Sequence, residues 1–114
     1  MLSIFDQGAF APCPSPFNLA AHVLRHASDL APKPALEVIG SQGCESWSYS
    51  RLEAAVRGTG TELLDSGLRP GDIVLMRLGN TVDFPIAYLG AIAAGLVPVP
   101  TSAELTEGET AQMI

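Results

Sequence analysis

Apolar positions change period several times along the chain, and each change marks an element. In FNLAAHVLRHASD, Leu19, Val23 and Leu24, with Ala20 and Ala27, share one face at helical spacing. Asn18 stands where a side chain accepts from a free amide of the first turn, and Pro32 and Pro34 end the helix. ALEVIG, residues 35–40, reads as a short strand, SQG as a turn and CESWSY as the returning strand, a hairpin with a loop of several residues. Trp47 is assigned to packing, the commoner use of a large aromatic side chain, over ligand stacking.

The helical period then returns. Leu52, Val56, Thr59 and Leu63, with Ala55, form a stripe to be buried. Two caps compete for its start: Ser50 has the capping-box spacing to Glu53, and Ser48 stands two residues earlier. Gly58 and Gly60 lie inside this helix, where each costs about 1 kcal/mol relative to Ala. Gly67 is the expected left-handed stop, with Leu68 placed to fold back on the last turn. Arg69-Pro70-Gly71-Asp72 is a turn with Pro and Gly at its two centres.

Ile73 to Met76 form an almost unbroken apolar run, which predicts a strand covered on both faces, as in a parallel sheet. Asn80 or Thr81 caps a third helix, with Asp83 in its first turn where the dipole favours negative charge. Pro85 falls in or just beyond that turn, where a missing amide costs least. From Phe84 to Ala93 apolar residues cover nearly every face, the pattern of a buried helix. Gly95 ends it. LVPVP is a short strand, because Pro98 and Pro100 donate no ladder bonds. Thr101 and Ser102 are given a turn and helix-entry role, and a further helix starts near Thr106.

The predicted class is α/β: a β-hairpin followed by a right-handed βαβ unit with parallel strands and flanking helices. Three or four strands leave a sheet face and edges uncovered, so the chain reads as a partial subdomain. Residues 1–16, with Pro12, Pro14 and Pro16, read as a flexible arm, and residues 17–114 as an incomplete N-terminal part of a larger domain.

Composition narrows the function. At 114 residues and 47% apolar the chain suits one folded unit. A net charge of −6, with six Lys and Arg and no basic run, argues against nucleic acid and anionic membrane surfaces as partners. The most apolar window, Phe84 to Val99, falls short of the roughly 20 residues a membrane span needs, and Pro and Gly interrupt it. MLSIFDQGAF lacks the basic start and apolar run of a signal peptide. Cys13 and Cys44 form no zinc or CxxC spacing and read as free thiols in a reducing compartment, the cytoplasm.

Chemistry-bearing patterns are sparse. Gly58-Thr59-Gly60 matches half of G-x-G-x-x-G but sits within a helix, with Leu63 at the third glycine position. Lys33, the single lysine, follows no glycine-rich loop. His22 and His26 have a metal-compatible spacing without a third ligand or the Glu of H-E-x-x-H, and read as solvated. Glu104, Glu107 and Glu109 suit a helix start better than acid–base work, and no serine sits in G-x-S-x-G. No residue is assigned a catalytic, cofactor-binding or metal-binding role.

The order of the junctions nevertheless has a counterpart. FNLAAHVLRHASDLAPKPALEVIG, WSYSRLEAAV and LLDSGLRPGDIVLMRLGNTVDFPIAYLGAIAAGLVPVPTSAELTEGE resemble, in that order, the N-terminal end of the ANL adenylate-forming enzymes. The series Y-S-x-L, G-L-x-P-G-D, N-x-x-D-F, L-G-A-x-x-A-G and V-P-V-P is specific in combination and covers roughly residues 17 to 114.

The resemblance implies a parent enzyme that uses ATP and Mg to make an acyl-adenylate from a small carboxylic acid. The acyl group then passes to coenzyme A. It implies residues 17–114 as the start of the large AMP-binding domain, with the remainder of the same polypeptide as partner. The family's phosphate loop, adenine and ribose contacts and catalytic lysine lie in later segments. None of these cofactors is expected to bind this portion alone. Carrier-protein-loading adenylation modules tend to read Y-V-P-L-D-P where PVPTSAEL stands here, which favours a free-standing CoA ligase of the aryl or medium-chain acyl type. Three other readings stand beside it: a small α/β binding module without catalysis, a carrier-loading module, and a nucleotide-cofactor oxidoreductase resting on the βαβ unit alone.

Overall fold

A computed structural model describes residues 3–113. Eight elements follow one another: α1 (Leu19–Val23), β1 (Pro34–Gly40), β2 (Gly43–Ser48), α2 (Tyr49–Asp65), β3 (Ile73–Met76), α3 (Asp83–Ala93), β4 (Val97–Pro100) and α4 (Glu107–Ala111). β1 and β2 pair antiparallel, and β3 and β4 pair parallel with α3 as their crossover. This is the expected hairpin and βαβ unit.

α1 begins as expected. Asn18 Oδ1 accepts from the Ala21 amide at 3.1 Å. The helix ends at Val23, however, well before the prolines. Beyond it the chain continues as linked turns, in which the Ala27 amide donates to Leu24 and that of Leu30 to His26. Leu24 and Ala27 are buried all the same. A three-residue step puts both side chains on one side whether the turns are α-helical or tighter, so the apolar spacing does not distinguish them.

The hairpin turn is shorter than expected: Gly40 faces Gly43, leaving Ser41 and Gln42 as the loop. Leu36 lies opposite Trp47, and both pack on the core. Ser48 wins the competition to cap α2, its hydroxyl accepting from the Arg51 amide at 3.3 Å. Ser50 instead donates to the Ala31 carbonyl at 3.0 Å, and Glu53 turns to Arg57, so the Ser50–Glu53 box is not formed. α2 closes through Gly67 at φ 102°, whose amide donates to Leu64. The following turn is held from both ends, by Asp72 Oδ2 on the Arg69 amide and by the Asp72 amide on the Arg69 carbonyl.

The core joins Leu24, Ala27, Leu52, Val56, Val82 and Ile86. α2 crosses α3 at glycines. A Cβ on Gly90 would lie 2.9 Å from Thr59 Cβ and Cγ2 and 3.2 Å from the Val56 carbonyl oxygen. A Cβ on Gly60 would lie 3.0 Å from the Gly90 carbonyl oxygen. The propensity cost of Gly60 is therefore offset by close helix approach, while Gly58 faces open space.

α3 also starts differently. Its N-cap is Val82, which makes no side-chain cap bond; Thr81, one residue out, accepts from the Asp83 amide through its hydroxyl at 3.3 Å. Pro85 does lie in the first turn. In the sheet, Val97 and Thr101 donate to the Asp72 and Met76 carbonyls of the β3 side. At period two, Pro98 and Pro100 point their missing amides away from β3. The expected cover on both faces of β3 is not found among the described residues: Met76 is buried, but Ile73 is 66% exposed. The apolar run is that of a central strand, and here it has one sheet neighbour.

α4 opens with a full capping box. Thr106 Oγ1 accepts from the Glu109 amide at 3.3 Å, and Glu109 Oε2 accepts from the Thr106 amide at 2.9 Å and hydroxyl at 2.8 Å. The backbone bond first, and the hydroxyl bond second, hold the Glu109 carboxyl below the ordinary glutamate range. A carboxyl depressed in the folded state stabilises fully above its unfolded pKa, and that contribution disappears as pH falls through the folded value. Acid titration followed by amide chemical shifts is thus expected to fray α4 at a pH below the usual glutamate midpoint. In Glu109→Gln, α4 is expected to show no such transition.

Candidate functional site

In open α/β sheets ligands gather beyond the carboxyl ends of parallel strands. Here that end carries Arg77, Thr101 and Ser102. Thr101 donates through both its amide, at 2.8 Å, and its hydroxyl, at 3.0 Å, to the Met76 carbonyl, which locks the strand ends together. Ser102 Oγ accepts from the Glu104 amide at 3.2 Å and starts the turn into α4. Both residues take the turn role expected of them. Arg77, which the strand pattern alone does not single out, reaches across to the Ala103 carbonyl at 3.4 Å. Its one sequence signal is position, the first charge after an apolar strand.

A groove of about 580 Å³ lies between α1 with its turns, α2 and the end of α3. Ala20, Leu24, Val56 and Ala93 supply apolar wall, and Arg25 and Arg57 are among its charged groups. Glu53 holds Arg57 through Nε at 3.1 Å and a terminal guanidinium nitrogen at 2.8 Å. Arg25 donates to the His22 carbonyl at 2.7 Å. Asn18 closes one end, its Nδ2 donating to the Ile92 carbonyl at 2.8 Å while Oδ1 caps α1. One side chain so joins α1 to the last turn of α3. The cap was legible in the sequence; the second bond, across 74 positions, was not.

Other candidates resolve into structure. The His22 ring lies 5.3 Å from that of Phe17, and His26 Nδ1 lies 3.7 Å from Asp29 on the surface. Trp47 is half-buried, lies under the Arg51 guanidinium at 3.7 Å and donates from its indole to Glu45 at 2.7 Å. Its packing role is thus joined by a surface polar one. Cys13 and Cys44 are exposed and free. Among the described residues no three His, Cys, Asp or Glu side chains come together to hold a metal ion. No helix among them is long and apolar enough to cross a membrane.

Residues 24–114 match the family of AMP-binding enzymes. The chain belongs to that family. A benzoate–CoA ligase of Thauera aromatica is 37% identical over 70 residues, 60% of this chain and 13% of that ligase. A 4-hydroxybenzoate–CoA/benzoate–CoA ligase of Rhodopseudomonas palustris is 43% identical over 61 residues, 54% of this chain and 11% of the relative. The crystal structure of a benzoate CoA ligase from Burkholderia xenovorans superposes with a TM-score of 0.75 at 35% identity, over 85% of this chain and 19% of that one. The chain thus spans well under a quarter of the length of these AMP-binding relatives.

The reaction expected of the family needs ATP with Mg. The residues described do not fit that group: there is no carboxylate cluster for the metal, and Lys33 stands alone, after Pro32, without a phosphate-cradling loop. No catalytic step is assigned to these side chains.

Proposed function

We propose that this chain is a structural portion of an ATP-dependent ligase of the cytoplasm, which converts an aromatic carboxylic acid to its CoA thioester through an acyl-adenylate. Residues 17–114 hold the first hairpin and βαβ unit of its large domain, and residues 1–16 stand as an arm outside it. The likeness to benzoate–CoA ligases, in sequence and in fold, supports this reading. The reading PVPTSAEL after the βαβ unit supports a free-standing ligase over a carrier-loading module.

Acid-dependent exchange of labelled pyrophosphate into ATP tests it. The 114-residue chain alone is expected to show no exchange with benzoate or any other acid. The same chain joined to its continuing reading frame is expected to exchange with benzoate and, with coenzyme A added, to form the thioester. Exchange by the short chain, or none by the longer protein with any aromatic acid, overturns the proposal.

A further inference from the structure

We draw no further inference here: the strongest candidate, the exposed apolar patch where Ile73 and Val97 lie side by side on the β3–β4 sheet, carries none, because nothing in the structure shows what covers it.

Discussion

Gly90→Ala is expected to destabilise the protein by about 1–2 kcal/mol, while Gly58→Ala in the facing helix stabilises it by up to about 1 kcal/mol. Both exchanges improve helix propensity by the same amount. They differ in what the new methyl meets. At Gly58 there is nothing within 4 Å. At Gly90 the methyl would stand 2.9 Å from Thr59 Cβ and 3.2 Å from the Val56 carbonyl oxygen, atoms fixed to the α2 backbone. Neither can swing aside, so the helices must part, and parting them loosens Val56, which is 1% exposed. Thr59→Ala does not rescue Gly90→Ala, because the obstructing Cβ remains. Gly90→Val carries two further carbons into the gap and is expected to cost roughly 3 kcal/mol. Urea unfolding midpoints at constant slope measure the series. A Gly90→Ala protein as stable as the parent would show that α2 and α3 do not meet this closely.

Asn18→Ala is expected to cost about 2 kcal/mol, the sum of a lost helix cap of about 1 kcal/mol and a lost hydrogen bond of about 1 kcal/mol. Asn18→Asp separates the two. Aspartate is as good an N-cap as asparagine. It cannot donate, and it sets a carboxylate oxygen against the Ile92 carbonyl, which the Asn18 amide nitrogen now meets at 2.8 Å. Asn18→Asp is therefore expected to be less stable than the parent despite its intact cap. Equal unfolding midpoints for the two proteins would assign the whole effect of Asn18 to α1.

What could be read in the sequence was what is local. The Pro70-Gly71 turn, the Gly67 stop and the Asn18 cap each depend on residues within one turn of themselves, and each stands where expected. Where two local solutions were chemically equal, neighbours decided. Ser48 caps α2 because the Ala31 carbonyl takes the Ser50 hydroxyl. Gly60 looked like a defect because its reason lies thirty positions away, at Gly90. The apolar run of β3 pointed to a strand with cover on both faces, and the described residues supply only part of it. The groove was illegible for a different reason. Its walls come from α1, α2 and α3, and no local pattern in any one of them shows that the three meet there.

The prolines of β4 bear on how the sheet meets other chains. With Pro98 and Pro100 turned outward, that border presents carbonyls and no amide at either position, so an incoming strand finds half of its hydrogen-bond partners missing. The β3 border carries no such block. Strand addition is therefore favoured on one side: a misfolded or half-made chain meets a full set of partners at the Ile73 border of this sheet, and Pro98 and Pro100 act as gatekeepers for the other.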